Sequence, residues 1–332
     1  MSEFWKMFRV ASFYAAAFIG AGFASGQEIL EFFTQYGRAG LMGVALSSSI
    51  LTIGSVLILN KSKDNAVHGY SDFFRQAGGR LSPYLDMIYS LFTLAGLAVM
   101  LAGSGALISQ TLGIKGGSLV TALLIAIVIR TGRHGMLDLS TVLVPIMFIV
   151  LIIPNIYQLM TVGIVIPQQS KPVGYASAVL YASYNLCYGM AVLTVLHTEL
   201  TTKKQSWGGS LIGNGIVGLT LLIVVLGLWS VGMTPTHQKM PMLVLVERLH
   251  PVLARSFSVV LYLAMFTTAL AHSFALTNRV STQTTVPEGF AVLLVLALGL
   301  VFARLGFGPL VSLAYPMVGV IGLFMFGALL KK

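Results

Sequence analysis

Residues 18–28 read Phe18-Ile19-Gly20-Ala21-Gly22-Phe23-Ala24-Ser25-Gly26-Gln27-Glu28. They lie inside the first membrane-length apolar segment, yet they carry three glycines, a serine, a glutamine and a glutamate. Glycine weakens a helix by roughly 1 kcal/mol relative to alanine, and a charge at mid-bilayer costs at least ~2.5 kcal/mol. A helix whose only task is to cross a bilayer has no use for either. The pattern predicts a helix interrupted within the membrane, its freed backbone groups facing a protein-lined cavity.

The whole chain supports a membrane setting. Of 332 residues, 56% are hydrophobic and only 9% charged, with a mean hydropathy of +0.88. Soluble domains carry about 25% charged residues, so this is an integral membrane protein. Its apolar runs are too long for the alternating short strands of a barrel. A net charge of +10 raises the question of nucleic acid, but the basic residues stand singly or in pairs between apolar segments. They read as topology signals, and no nucleic-acid partner is expected. The single cysteine, Cys187, sits inside an apolar segment, so no intrachain disulfide forms. Lys6 and Arg9 ahead of an apolar run resemble a signal peptide, but the run continues through Glu28 and Glu31 without a clear cleavage region.

Ten spans are expected, at about 8–36, 40–59, 83–112, 117–130, 136–160, 173–199, 208–231, 252–277, 287–304 and 308–330. With the N-terminus inside, thirteen of the twenty Lys and Arg residues fall on the inner side and seven on the outer. That bias predicts an even number of spans and two cytoplasmic termini. Two connections read as short helices: the inner Tyr70-Ser71-Asp72-Phe73-Phe74, and the outer run from Pro241 to Leu249, which starts with proline in its first turn. For the outer one, a gating role and a plain amphipathic surface helix are both open readings.

The first span begins near residue 8 and the sixth near 173, an offset of half the chain. Five spans per half is odd, so residues 1–165 and 166–332 read as two inverted repeats within one membrane domain. In such transporters the first helix of each half is broken at the midplane. The sixth span is therefore also expected to be interrupted, and its candidate break is Tyr181-Ala182-Ser183-Tyr184-Asn185. Gly20, Ala21, Gly22 and Phe23 would form one side of a solute cradle, and Tyr181, Ser183, Tyr184 and Asn185 the other. The competing reading is that the glycines only permit close helix packing.

The eighth span carries Ala264-Met265-Phe266-Thr267-Thr268. Adjacent threonines in a membrane helix commonly back-bond to the preceding turn. Facing unwound carbonyls, however, their hydroxyls would make a neutral oxygen cage for a monovalent cation such as Na+. Glu28 lies about two turns outward of the break and has three readings: an outer gate with Gln27, an attractor of cationic solutes, or a carboxylate that titrates in proton coupling. Trp5, Lys6 and Arg9 read as an inner latch or as interfacial anchors. There is no H-E-x-x-H, no G-x-S-x-G and no P-loop, so neither an enzyme nor a cofactor is expected.

The run from Gly20 to Glu28 with Phe32-Phe33 and Tyr36-Gly37, then Tyr181 to Asn185, then Tyr315-Pro316 with Gly319, resembles the YkvI family of bacterial membrane proteins. The resemblance covers nearly the whole chain. That family looks like a compact branch of the amino acid–polyamine–organocation superfamily, which implies the LeuT-type fold, five-plus-five inverted repeats, alternating access and a place in the bacterial cytoplasmic membrane. In sodium-coupled relatives, two carbonyls before the break and an alanine carbonyl with two hydroxyls on the eighth helix hold the ion. Similarity carries these roles to Ala16 and Ile19, and to Ala264, Thr267 and Thr268. Phe23 departs from the neurotransmitter-symporter pattern, which has an asparagine there for a second sodium. The resulting expectation is an all-α transporter that moves a small organic solute, such as an amino acid or related amine, with Na+. The alternatives are H+ coupling through Glu28 and a non-transporting receptor like the germinant-sensing relatives.

Overall fold

A computed structural model describes residues 3–67, 69–129, 134–196, 198, 200, 202–232 and 240–330; the side chains of 4–6, 9, 13, 14, 16, 17, 134–144, 195 and 328–330 lie outside that description. The chain runs through α1 (Glu3–Phe18), α2 (Ala21–Ser25), α3 (Gln27–Phe32), α4 (Arg38–Asp64), α5 (Tyr70–Gly78), α6 (Ser82–Leu112) and α7 (Gly117–Ile129). It continues with α8 (His134–Val162), α9 (Val173–Leu196), α10 (Lys203–Ser230), α11 (Pro241–Leu249), α12 (Pro251–Gln283), α13 (Glu288–Ala303) and α14 (Phe307–Leu330). Among the described residues, the one β feature is an isolated antiparallel bridge between Gly37 and Ser170.

Local chemistry explains many of the boundaries. Pro241 and Pro251 stand in the first turns of α11 and α12, where a missing amide donor costs nothing. Thr202 caps α10 by accepting from the Gln205 amide, as N-cap hydroxyls do. Gly113 ends α6 in the left-handed conformation, its amide donating to the Ser109 carbonyl. Seven helices among the described residues are long and apolar enough to cross a membrane, and α7 and α13 are shorter apolar helices. With the interrupted first span they supply the ten expected crossings in the expected order. Side chains such as Met160 and Phe324, 81% and 77% exposed, are outward-facing in the way a hydrocarbon solvent allows and water does not.

The first span breaks where glycine predicts it. Gly20 is extended between α1 and α2, and Gly26 takes a left-handed φ of 79° between α2 and α3. The broken span is central: α1 packs on α10 and α9, α2 on α12 and α11, and α3 on α14, α10 and α9. The short α11 is amphipathic, with Glu247 and Arg248 exposed and its apolar side buried. Its Pro241, Met242, Leu243, Leu245 and Val246 are all covered, and Met242 and Pro241 pack over Gly26.

The sixth span corrects the expectation. The interruption placed at Tyr181–Asn185 is absent, and α9 is continuous from Val173 to Leu196. Tyrosine, serine and asparagine lower helix propensity only modestly, unlike glycine, and no glycine or proline falls between Gly174 and Gly189. The polar groups there are satisfied without unwinding. Asn185 Nδ2 donates to the Tyr181 carbonyl at 3.0 Å, and Ser183 Oγ donates to the Gly319 carbonyl of α14 at 2.8 Å.

Candidate functional site

The break in the first span leaves free space beside its backbone at Gly20. Nothing lies within 4 Å of where a side chain at Gly20 would begin. A methyl group at Gly22, by contrast, would collide with the Glu28 carboxylate. Glu28 therefore does not point outward from its place on α3. Its backbone stands about two turns from Gly20, and its side chain turns back along the span until the carboxylate lies against the backbone of α2.

Glu28 is buried, and its carboxylate accepts a hydrogen bond from the Tyr184 hydroxyl of α9. Among the described residues, the ion pairs join Arg75 to Asp72, Lys203 to Asp64 and Arg279 to Asp86, and none involves Glu28. A buried carboxylate held by one hydroxyl is short of positive charge. The site is thus built to receive a proton, a metal cation or an ammonium group.

An aromatic wall surrounds this pair. Tyr184 stacks on Tyr315 of α14 with ring centroids 4.9 Å apart. Tyr181 meets Phe33 edge-on at 4.7 Å and Phe32 at 5.6 Å. One turn along α9, Tyr188 lies 5.7 Å from the His272 ring of α12 and donates to the Phe92 carbonyl of α6 at 2.9 Å. Edge-on and offset rings of this kind hold their geometry through quadrupole complementarity. Above them Ser177 Oγ donates to the Phe32 carbonyl, and Trp229 Nε1 to the Thr34 carbonyl, so the chain beyond Glu28 is tied to α9 and α10.

The helical period sorts the α9 candidates by direction. Tyr184 faces α3 through Glu28, and Gly189 packs against Phe18 at the end of α1. At 100° per residue, Tyr181, Tyr184, Asn185 and Tyr188 share the sector between those two contacts. Ser183 points elsewhere, toward Gly319 and Gly322 of α14. The structure thus brings Gly22, Glu28 and Tyr184 together next to the break, sets Tyr181 and Asn185 on the same side of α9, and leaves Ser183 out. Ala21 and Phe23 are fully buried in α2. Gln27 is buried in the first turn of α3, its amide donating to Ser25 Oγ at 3.2 Å.

On α12, Thr267 Oγ1 and Thr268 Oγ1 both donate to the Ala264 carbonyl, at 3.1 and 2.9 Å. The two hydroxyls are back-bonded, and in being so they converge with the carbonyl as three oxygens at one spot. The packing of α2 on α12 sets the break beside this helix. Ile19 is buried where α1 ends. The side chains of Trp5, Arg9 and Ala16 lie outside the described residues.

No protein-family model matches the chain. It is 26% identical over 337 residues to the uncharacterized membrane protein YkvI of Bacillus subtilis (strain 168), covering 98% of this chain and 95% of that protein. It is 22% identical over 320 residues to the uncharacterized protein YyaD of the same organism, covering 94% and 92%. The chain is thus similar to YkvI over nearly the whole length of both proteins. Among solved structures the chain resembles the inward-facing conformation of Mhp1, with a TM-score of 0.71 at 11% identity over 95% of this chain and 73% of that one. It also resembles Mhp1, a nucleobase-cation-symport-1 family transporter, in a closed conformation with bromovinylhydantoin bound, with a TM-score of 0.60 at 11% identity over 97% and 75%. At that identity the likeness establishes the fold, the LeuT-type arrangement of two inverted five-helix repeats.

Sequence reasoning gave three residues beside the candidate site no role there, although Tyr315 was among those that carry the resemblance. Tyr188 follows Tyr184 by four, a spacing that puts both on one helical face, so it was within reach. Tyr315 and His272 come from α14 and α12, and no local pattern brings them to α9.

Proposed function

We propose that this protein is a secondary active transporter that moves a small organic solute, an amino acid or related amine, by alternating access. The observation that carries the reading is the open space at Gly20 together with a buried carboxylate, Glu28, that has no ion-pair partner among the described residues. An interrupted span lined by backbone, a carboxylate and aromatic faces suits an ammonium-bearing solute. In this reading Na+ is the coupling ion, held by Ala264, Thr267 and Thr268 with carbonyls of Ala16 and Ile19, and the three converging oxygens on α12 support it. The sixth helix contributes side chains rather than unwound backbone, so the solute's carboxylate or other polar group is met by Tyr181, Tyr184 and Asn185.

A second reading, proton coupling through Glu28, is favoured by the same missing counter-charge, since a proton neutralises a buried carboxylate as well as an ammonium does. A receptor that binds without transporting is the third. Counterflow in proteoliposomes separates the classes: solute exchange supports a transporter, and binding without exchange supports a receptor. Sodium-driven uptake at constant pH supports the first reading. Uptake that follows a pH gradient in the wild type and loses that response in Glu28→Gln supports the second.

A further inference from the structure

Asn155 sits inside the membrane-length run of α8 from Pro145 to Val162, about two turns from the Val162 end, and is fully buried. It follows Pro154, whose missing amide leaves the helix one hydrogen bond short at that turn. The carboxamide meets three neighbours. Its Nδ2 donates to the Leu151 carbonyl at 2.7 Å and to Met242 Sδ of α11 at 3.3 Å. Its Oδ1 lies against the backbone of α10 at Gly227, where a methyl group would collide with it, and accepts no hydrogen bond among the described residues.

A buried amide oxygen without a donor is costly, and what the same side chain supplies is a hold on Met242. Met242 is fully buried and lies over the joint between α2 and α3. A side chain at Gly26 would begin 2.9 Å from the Met242 Cγ and 3.1 Å from its amide nitrogen. Gly26 makes the left-handed turn that aims α3, and Glu28 stands two residues further on.

We propose that Asn155 is a positioning residue: acting through Met242, it holds α11 on the Gly26 joint and so fixes the direction of α3 and of Glu28. Three features support that role. The bond to the thioether is directional, and an aliphatic residue at either end could not make it. Glycine resists a swing of the chain less than any other residue, so the joint needs an outside brace. At Gly227 the oxygen is the end of the carboxamide that suits a Cα–H neighbour, which turns the nitrogen toward α11. The consequence, a carboxylate held ready at the break, rests on the transport reading above; the positioning itself does not.

The test is hydrogen–deuterium exchange, read by mass spectrometry, on the full-length protein in phospholipid nanodiscs. Wild type is compared with Met242→Leu, Asn155→Leu and the double variant. Met242→Leu keeps the volume over Gly26 and removes the sulfur acceptor. Each single variant should speed exchange of the α2 and α3 amides about fivefold, the effect of losing one net hydrogen bond. Exchange in α13, which packs on α6, α12 and α7, should stay as in the wild type. The double variant should match the single ones, because both remove the same bond. Unchanged exchange of α2 and α3 in Met242→Leu, effects that add in the double variant, or a rise spread over every helix overturns the proposal. Met242→Leu decides the matter even if Asn155→Leu fails to fold. Counterflow tests the transport reading separately, so the two can fail independently.

Discussion

The Tyr184 hydroxyl donates to the Glu28 carboxylate, joining the middle of α9 to the start of α3 across the break in the first span. This bond links the two halves of the molecule at the level of the gap. It is the interaction that gives the buried carboxylate its place, and most of the expectations below start from it.

Tyr184→Phe keeps the aromatic packing and removes the donor. It should lower thermal stability by about 1.5–3 kcal/mol, the range for a buried hydrogen bond to a charged group. In a Glu28→Gln background the same change should cost closer to about 1 kcal/mol, because the acceptor is then neutral. Thermal unfolding of the two single variants and the double variant measures the coupling. Equal costs in both backgrounds would mean that the carboxylate bears no charge in the folded protein.

Gly22 and Gly20 should respond oppositely to alanine. At Gly22 the new methyl meets the Glu28 carboxylate, so Gly22→Ala should displace that group and abolish uptake. Shortening the acid in Gly22→Ala/Glu28→Asp should restore part of it. At Gly20 nothing stands in the way and the backbone is ordinary extended chain. Gly20→Ala should fold with unchanged stability and alter solute affinity alone, which a binding isotherm would read out.

Gly26→Ala combines a left-handed φ with a contact at 2.9 Å from Met242 of α11. Placing a non-glycine residue there costs about 1–2 kcal/mol for the backbone, before α11 has to shift. Trimming the contact in Gly26→Ala/Met242→Ala should recover only the steric part. A full recovery of melting temperature in the double variant would contradict the backbone argument.

Thr267→Ala/Thr268→Ala should erase any sodium-dependent rise in melting temperature. In potassium buffer the double variant should match the wild type within about 1 kcal/mol, since back-bonded hydroxyls add little to a helix. An unchanged sodium response would remove Ala264, Thr267 and Thr268 from the ion site.

The ion pairs at the basic end should differ in weight. Arg279 lies 2.5 Å from Asp86, with side chains 18% and 15% exposed, and Asp86 also accepts from Ser71 of α5. Lys203 and Asp64 are 3.5 Å apart and mostly exposed. Arg279→Gln should therefore destabilise by more than about 1 kcal/mol and Lys203→Gln by less. Melting temperatures of the two variants, compared at low and high salt, test the ranking.

Much of this architecture was legible in one dimension. Composition and the lengths of the apolar runs determine a membrane protein of ten spans, because hydrocarbon demands uninterrupted apolar helix wherever no other protein covers it. Glycine acts on its own backbone, so the break at Gly20 and the left-handed joint at Gly26 were readable residue by residue. So was the short helix opened by Pro241. Symmetry reasoning failed at the sixth helix because it treated polar side chains as equivalent to glycines. Whether Ser183 and Asn185 break a helix depends on acceptors that other residues offer them, here Gly319 on α14 and the Tyr181 carbonyl one turn back. Tertiary structure alone decided three things about the opening stretch. The Glu28 carboxylate folds back onto Gly22, its partner is Tyr184 from 156 residues away, and Tyr315 and His272 complete the wall. Each depends on which faces of distant helices meet, and that is a property of packing with no local signature in the chain.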